Sequence, residues 1–454
     1  MIRMTPHFRK SKFIFLIPLS DGWWILYNTL NGAIMLIDTD LKNHLEKGNI
    51  SAIPADILNN LIEEEFLVYQ DLDELKYYQY LLNKAIYASD TLSSVILTTY
   101  DCNLACIYCY ERQENVIKPI YMSIETAKDV AEYIERRAKT IRPKRLSIAL
   151  YGGEPLLNID AGITILERLK KYCSENNVKI GNGLITNGTL ITREIIERLQ
   201  EYNLASIQVS IDGTKEIHDK RRPFRDGRGS FDIIMKNISE IVDVLPPKTI
   251  VIRVNIDKMN YNNFPLFLDY LEDVGLKYKI KLGIGIPRGV FPYCTKMQFS
   301  EYEIADRVFN LWKTAIKRGF TYHIEPQPAL CSALQENSQI IDPKGDIYKC
   351  WAFVGLKQYI VGSIYSNKYK PIYYAFLTKM QPIPVKCRNC NILPYCNGGC
   401  LYEAYYMTKD PFNIICGGTF SRDSLEKIVK LYVIERYRKI LKEKGLWRKL
   451  VEDD

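Results

Sequence analysis

The stretch that decides the fold reads Cys102-Asn103-Leu104-Ala105-Cys106-Ile107-Tyr108-Cys109. It follows the strand-like residues 94–99, so its C-x3-C-x2-C spacing brings three cysteines together on one tight loop. Three thiolates on a cubane iron–sulfur cluster leave the fourth iron without a protein ligand, and that iron can bind a substrate. Zinc is the alternative, but a structural zinc site closes with four ligands and the sequence offers no fourth ligand nearby.

Outward from this loop, strand-like runs alternate with amphipathic helical segments. The strand-like runs are residues 94–99, 146–151, 180–186, 206–211, 249–256 and 278–286, and the helical segments include 123–140, 193–202, 231–244 and 264–274. Such alternation predicts parallel β/α units with right-handed crossovers. Six units predict an α/β fold, a partial (β/α)6 TIM-like barrel over residues 94–290, with its chemistry at the carboxyl ends of the strands.

Polar and glycine-rich motifs stand at those strand ends. Tyr151-Gly152-Gly153-Glu154-Pro155 ends the second strand, Thr186-Asn187-Gly188 the third and Ser210-Ile211-Asp212-Gly213 the fourth, and Arg222 stands twelve residues after Ser210. Paired glycines let backbone carbonyls approach a ligand ammonium, and a guanidinium suits a bidentate carboxylate contact. Each motif alone is a common turn, but their shared position indicates one binding site.

The cysteine loop, with an aromatic residue before its third cysteine, resembles the signature of the radical S-adenosylmethionine superfamily over about residues 93–290. The resemblance implies that Cys102, Cys106 and Cys109 hold a [4Fe–4S] cluster. It also implies that S-adenosylmethionine is bound by Tyr108, Gly152, Gly153, Glu154, Thr186, Asn187, Ser210, Asp212 and Arg222. Tyr108 would pack on the adenine, the Gly-Gly-Glu element would hold the amino group, and Arg222 would hold the carboxylate. Members of the family reductively cleave this cofactor to a 5′-deoxyadenosyl radical that abstracts hydrogen.

A second cysteine group lies towards the carboxyl end. It reads Cys331-x13-Gly345-x4-Cys350, Cys387-x2-Cys390-x5-Cys396-x3-Cys400 and then Cys416. This pattern resembles the SPASM extension of peptide-modifying radical enzymes, which holds two auxiliary [4Fe–4S] clusters. The resemblance implies Cys331, Cys350 and Cys400 on the first of these, Cys387, Cys390, Cys396 and Cys416 on the second, and three clusters in all. Taken alone, the stretch would also suit a pair of zinc ribbons.

Two departures from related sequences bear on the activity. Residues 332–337 lack the further cysteine that some relatives carry, so the first auxiliary cluster is expected to have an open iron, as in several thioether-forming peptide maturases. Trp351 stands where sulfatase maturases carry an acidic residue, which argues against formylglycine formation.

The remaining segments complete a domain prediction. Residues 1–75 resemble a small α+β, winged-helix-like leader-recognition domain, which binds an extended leader by adding it as a strand to a sheet edge; a structural cap is the alternative. Residues 76–93 are predicted as a linker, 291–330 as a bridging region, 331–418 as the cysteine-rich SPASM domain and 419–454 as a carboxyl-terminal helix.

Composition limits the partners. The net charge of +8 is spread along the 454 residues, which does not indicate nucleic acid, and no apolar run is long enough to cross a membrane. Ten of the twelve cysteines fall into the two groups described, and such clustering indicates metal or redox chemistry in a reducing, cytoplasmic compartment.

The leading hypothesis is a maturase that forms a thioether or related cross-link in a ribosomally made precursor peptide, with ferredoxin or flavodoxin as external reductant. The alternatives are a formylglycine-generating sulfatase maturase and, outside enzymes, a metal scaffold or electron carrier.

Overall fold

The computed structural model describes residues 7–109, 118–289, 292–300, 302–321, 326, 328–417 and 421–451. The amino-terminal residues form a small α+β unit. Its elements are β1 (Phe8–Lys10), β2 (Ile14–Ser20), β3 (Trp23–Asn28), β4 (Ile34–Asp38), α1 (Thr39–Lys47), α2 (Ala55–Glu63) and β5 (Leu67–Tyr69). Strands β2, β3 and β4 form an antiparallel sheet in that order, and β1 pairs with β5. The assignment of this unit as a winged-helix domain stays a prediction.

A tight turn makes the β2–β3 hairpin, as the sequence predicts. Ser20 pairs with Trp23 across the turn, and both turn residues have positive φ, 49° at Asp21 and 77° at Gly22. An Asp-Gly pair supplies this backbone at low cost, and its twist matches that of the flanking strands. The next element, α1, begins where the Asp38 carboxylate accepts a hydrogen bond from the Leu41 amide.

Helix α3 (Glu74–Ile86) leads into six parallel strands separated by helices. In chain order these are β6 (Thr91–Thr99), α4 (Ile124–Ile141), β7 (Arg145–Gly152), α5 (Ile159–Asn176), β8 (Lys179–Thr186), α6 (Arg193–Gln200), β9 (Leu204–Ser210), α7 (Lys215–Arg221), α8 (Phe231–Ile241), β10 (Ile250–Asn255), α9 (Phe264–Asp273) and β11 (Ile280–Gly285). The strands lie side by side in sequence order, each parallel to the next. This mostly parallel α/β sheet is consistent with the predicted partial barrel.

The carboxyl-terminal region extends the same sheet. Its elements are α10 (Pro292–Met297), α11 (Ile304–Lys317), β12 (Ser338–Ile341), β13 (Asp346–Tyr348), β14 (Gly362–Ser363), α12 (Pro371–Leu377), α13 (Leu393–Cys396), α14 (Leu401–Thr408), α15 (Arg422–Arg436), α16 (Arg438–Glu443) and α17 (Trp447–Val451). Strand β12 pairs in parallel with β6, and β13 and β14 continue antiparallel to give nine strands. The carboxyl-terminal segment, expected as one helix within 419–454, instead forms α15, α16 and α17, and the chain first leaves helical geometry at Tyr437.

The amino-terminal unit docks on the cysteine-rich region. Thr29 Oγ1 of this unit donates to the Asn391 carbonyl at 2.5 Å. The Tyr78 hydroxyl of the following helix, α3, donates to Asn397 Oδ1 at 2.9 Å. Buried Phe13 and Tyr27 belong to the same hydrophobic core as the barrel strands. Three parts of the chain are thereby held in fixed positions around one site. Within the described residues, no helix has the length and apolar character needed to span a membrane.

Candidate active site

The three-cysteine loop lies at the carboxyl end of β6 and is held from behind by the segment after α7. The Ala105 amide donates to the Pro223 carbonyl at 2.8 Å, and the Ile107 amide donates to the Arg221 carbonyl at 3.0 Å. The side chains of Cys102, Cys106 and Cys109 are partly buried. Burial raises the pKa of the Cys102 thiol to about 12, and the nearby Cys106 sulfur adds to that rise. A bound cation or cluster would be needed to hold the Cys102 sulfur as a thiolate at neutral pH.

A cavity of about 1140 Å³ opens in front of this loop. Most of the residues predicted from the sequence line it, namely Cys102, Cys106, Cys109, Tyr108, Gly152, Gly153, Thr186, Asn187, Ser210 and Arg222. Their strands are parallel neighbours, so their carboxyl ends meet at one edge of the sheet. The volume exceeds that of ordinary drug-sized sites and leaves room for a cofactor and part of a second molecule.

Glu154 and Asp212 do not line the cavity. Both are fully buried. The Glu154 carboxylate accepts hydrogen bonds from the Leu156 amide at 3.0 Å, from Thr186 Oγ1 at 2.7 Å and from the Asn187 amide at 2.7 Å. It therefore ties the end of β7 to the end of β8, and in this arrangement it positions cavity residues.

The two glycines before Glu154 are required by close packing of neighbouring strand ends. A Cβ atom on Gly152 would lie 2.3 Å from the Thr99 carbonyl oxygen, and one on Gly153 would lie 2.3 Å from that of Asp101. Gly152 also has a φ of 134°, which a side chain disfavours. The glycines thus let the end of β7 fit against the cysteine loop.

The side chain of Tyr108 is fixed by contacts with four neighbouring side chains. Its hydroxyl donates to Asp212 Oδ2 at 2.5 Å and accepts from Arg222 Nη1 at 2.6 Å and Asn255 Nδ2 at 3.2 Å. The Arg221 guanidinium lies 4.9 Å from the centre of its ring. Desolvation and the adjacent carboxylate keep the pKa of Tyr108 well above its usual value, so its hydroxyl stays protonated.

Arg221 is a site residue that sequence reasoning missed. It is fully buried and donates to both carboxylate oxygens of Asp257 at 2.8 Å and to Asp212 Oδ2 at 3.2 Å. Sequence reasoning singled out its neighbour Arg222, and nothing in the Arg-Arg pair distinguishes the two. Arg222 is the one that faces the cavity, and its buried Nε has no hydrogen-bond partner among the described residues.

The second cysteine group divides into two neighbouring sets. Burial raises the pKa of Cys350, and the sulfurs of Cys331 and Cys400 raise it further. Burial also raises the pKa of Cys387, and the sulfurs of Cys416 and Cys390 raise it further. The pKa of Cys396 is raised by burial and by the sulfurs of Cys416 and Cys387. The resemblance implies the same two sets, and their assignment to two clusters stays a prediction. Within the described residues, no three cysteine, histidine or acidic side chains lie close enough to chelate a single metal ion.

The first of these sets borders the main cavity. Cys400 and Trp351 line it together with the Cys102–Cys109 loop, and the Trp351 ring packs edge-on against Tyr151 with centroids 5.0 Å apart. The cavity therefore lies between the two groups of cysteines. Their thiols and the buried, unsatisfied Arg222 Nε form a donor set that fits an iron–sulfur cluster and a carboxylate-bearing cofactor.

Comparison with known proteins defines the class. Residues 96–271 match the Radical SAM superfamily model, so the chain carries a radical S-adenosylmethionine domain. The relatives that share it are enzymes that modify peptides or proteins, which favours an enzyme over a metal scaffold.

Its relatives are maturases of the same superfamily. The chain is 25% identical to the radical SAM cyclopropyl synthase TigE of Paramaledivibacter caminithermalis, over 86% of this chain and 89% of that protein. It is 29% identical to a cysteine-type anaerobic sulfatase-maturating enzyme of Clostridium novyi, over 66% of this chain and 85% of that protein.

Solved structures share the fold. Native anSMEcpe with bound AdoMet and a Kp18Cys peptide aligns with a TM-score of 0.59 at 19% identity, over 78% of this chain and 99% of that chain. Streptococcus suis SuiB bound to the precursor peptide SuiA aligns with a TM-score of 0.54 at 18% identity, over 92% of this chain and 99% of that chain.

Proposed function

We propose that this enzyme is a maturase of a ribosomally made peptide and forms a thioether or related cross-link in it. The observation that carries this proposal is the shared cavity, which is lined on one side by Cys102, Cys106 and Cys109 and on another by Cys400. A peptide held there would lie between the radical-generating site and an auxiliary cluster. The fold shared with SuiB, whose structure contains a precursor peptide, supports the same substrate class.

The residues of the barrel divide the work of holding the cofactor. Cys102, Cys106 and Cys109 would hold the [4Fe–4S] cluster, while Arg222 and Ser210 would hold the carboxylate end of S-adenosylmethionine. When bound, the cluster and S-adenosylmethionine together supply the radical chemistry. Glu154 and Asp212 would position cavity residues without lining the cavity themselves. Glu154 fixes the Asn187 backbone, and Asp212 fixes the Tyr108 hydroxyl.

The far wall of the cavity keeps water out. Apolar side chains from α11 and α15 line it, namely Val308, Phe309, Ile428 and Leu431. An apolar wall protects a reactive intermediate from side reactions with solvent. This wall joins the barrel to the carboxyl-terminal helices, so both parts of the chain would be needed for a competent site.

The second cysteine group would hold two auxiliary [4Fe–4S] clusters. Three cysteines, Cys331, Cys350 and Cys400, make up the first set, so one iron would stay open to a substrate thiolate. Cys387, Cys390, Cys396 and Cys416 would close the second. An external ferredoxin or flavodoxin would supply the electron for each turnover.

The amino-terminal unit would bind the leader of the precursor. Strand β4 lies at an edge of its three-stranded sheet, beside a groove of about 510 Å³. The groove is lined by Met35 and Leu36 of that strand, by Leu41 and Ile57 of the following helices, and by Ile440 of α16. An extended leader could pair with the strand and place apolar side chains in the groove.

The test uses anaerobically reconstituted protein, dithionite, S-adenosylmethionine and a short cysteine-containing peptide encoded beside the gene. We expect 5′-deoxyadenosine and a peptide that has lost two hydrogen atoms. Loss of reaction with iodoacetamide would identify a thioether, whereas a retained thiol would identify a carbon–carbon closure of the kind suggested by the name of the TigE relative. Formation of 5′-deoxyadenosine with an unchanged peptide would contradict the proposal.

Formylglycine formation is the second candidate, because several of the matched relatives are sulfatase-maturating enzymes. Against it, the position after Cys350 holds Trp351, which carries no carboxylate to accept a proton. An aldehyde in a co-expressed sulfatase, with no cross-link in any small peptide, would favour this candidate.

A further inference from the structure

Arg253 places a positive charge on the inner face of the barrel. It lies on β10, where Ile250, Ile252 and Val254 are buried against the helices and the alternate residues point inward. Its side chain lines the cavity together with Gln208 of the neighbouring strand. A charged residue on an inward position of a barrel strand calls for an explanation, because such positions are ordinarily filled by apolar side chains.

The neighbouring strand is shaped to accommodate this guanidinium. A Cβ atom on Gly285 would lie 2.4 Å from Arg253 Nη2 and 2.6 Å from its Nε. Gly283, paired with Arg253 across the two strands, is not required in the same way, since its Cβ atom would lie at an ordinary contact distance, 3.9 Å from Arg253 Cδ. Gly285 therefore makes the room that lets the guanidinium lie against β11 and face the cavity.

No carboxylate among the described residues lies within ion-pair distance of Arg253. Its Nε donates a long hydrogen bond, 3.4 Å, to Asn255 Oδ1. Three other basic residues around the cavity differ in this respect, since Arg225 pairs with Asp101, Arg288 with Glu403 and Lys427 with Asp306 and Asp423. Arg222 resembles Arg253, because it donates to the Tyr108 hydroxyl and pairs with no carboxylate among the described residues. Burial lowers the pKa of Arg253, which reflects the cost of desolvating its charge without a counter-ion.

We infer that Arg253, with Gln208 beside it, binds a carboxylate of the peptide substrate inside the barrel. This inference rests on the proposed function and narrows its substrate class to peptides that bring an acidic side chain or a free carboxyl terminus into the cavity. Arg222 accounts for the carboxylate of the cofactor, so the second guanidinium is left for a second anion. A planar guanidinium holds a carboxylate through two parallel hydrogen bonds and discriminates against the isosteric amide.

The test measures binding of synthetic octapeptides to the reconstituted protein with S-adenosylmethionine present and no reductant, by calorimetry. Four peptides of one sequence carry either Glu or Gln at a central position and either a free or an amidated carboxyl terminus. We expect one carboxylate to tighten binding about tenfold over its amide. Comparing the Glu peptides with the Gln peptides shows whether a side-chain carboxylate is bound. Comparing the free with the amidated peptides shows whether the carboxyl terminus is bound.

Three variants complete the design. Arg253→Gln is expected to abolish the discrimination between carboxylate and amide, and Arg253→Lys to keep part of it. Arg145→Gln, which removes an exposed arginine from the start of β7, is the control for a general effect of charge. The four peptides are also compared on the wild-type protein. That comparison tests the inference even if a protein variant fails to fold.

Equal or absent binding of the acidic and amide peptides overturns the inference. A weaker affinity for S-adenosylmethionine in Arg253→Gln, with the peptide discrimination unchanged, overturns it as well, because Arg253 would then serve the cofactor. Failure of the proposed function is a separate result, since it would appear as 5′-deoxyadenosine formed without any change in the precursor peptide.

Discussion

Replacement of Arg221 by methionine tests the buried ion network behind the cysteine loop. Arg221 is enclosed between Asp212 and Asp257, and it also donates to the Tyr293 hydroxyl and to the Asn255 carbonyl at 2.9 Å each. Methionine fills much of the same volume but carries no charge. Asp257 would keep only neutral donors, the Tyr293 hydroxyl and the Met259 amide, among the contacts seen here.

The expected loss is large because the partners stay buried. Removing one member of a buried ion pair costs about 3–5 kcal/mol, since the remaining charge has neither water nor a counter-ion. For a domain of this barrel's size, 1 kcal/mol corresponds to about 2–4 °C in Tm, so we expect a fall of about 6–20 °C. The double variant Arg221→Met/Asp257→Asn should recover part of this loss, because it removes the stranded carboxylate.

Arg168→Met provides a matched control. Arg168 also makes two hydrogen bonds to one carboxylate, that of Glu135, at 2.9 and 3.0 Å, but its side chain is 36% exposed. An exposed pair of this kind contributes about 1 kcal/mol or less. Thermal unfolding of the reconstituted proteins, followed anaerobically by circular dichroism, measures both. Equal Tm values for the two variants would refute the reasoning that burial of the Arg221 network matters.

Three further outcomes are expected. Burial holds the pKa of His218 at about 3, against about 6.5 in the unfolded chain, so acid protonates the unfolded state first and stability falls by about 2 kcal/mol from pH 6.5 to 5. In urea titrations His218→Gln should flatten that dependence, and parallel pH profiles would contradict the assignment. Arg222→Lys should raise the Kd of S-adenosylmethionine about tenfold in equilibrium dialysis, since lysine cannot make a bidentate contact; an unchanged Kd would remove Arg222 from the cofactor site. Cys350→Ala should lower bound iron by about four atoms per chain, whereas Cys173→Ala, which removes a buried thiol from α5, should not; equal iron loss in both would indicate misfolding instead.

Much of the site follows from local sequence. Three cysteines within eight residues must share a loop, and motifs that end successive parallel strands must meet at one edge of the sheet. For that reason Tyr108, Asn187, Ser210 and Arg222 all line one cavity, as expected from their positions along the chain. The strand and helix boundaries differ from expectation by a few residues. The residue at which a helix or strand ends depends on tertiary contacts, which the hydrophobic pattern of the sequence does not show.

Other features depended on contacts between distant segments. The addition of β12 to β6 joins the cysteine-rich region to the barrel sheet through backbone hydrogen bonds, which carry no side-chain signature. Glu154 lies buried beside the cavity wall, where Thr186 Oγ1 and the Asn187 amide donate to its carboxylate, and its contact with the cofactor stays a prediction.

The sequence by itself determined the chemical class of this protein, because cysteine spacing and strand-end motifs are local properties of the chain. The tertiary structure alone decided which of two adjacent buried arginines lines the cavity. The end of α7 directs Arg221 between Asp212 and Asp257, and it turns Arg222 towards Tyr108 and the cavity. It also decided that Arg253 faces the barrel interior with Gly285 beside its guanidinium, since side-chain direction follows from strand register across the sheet.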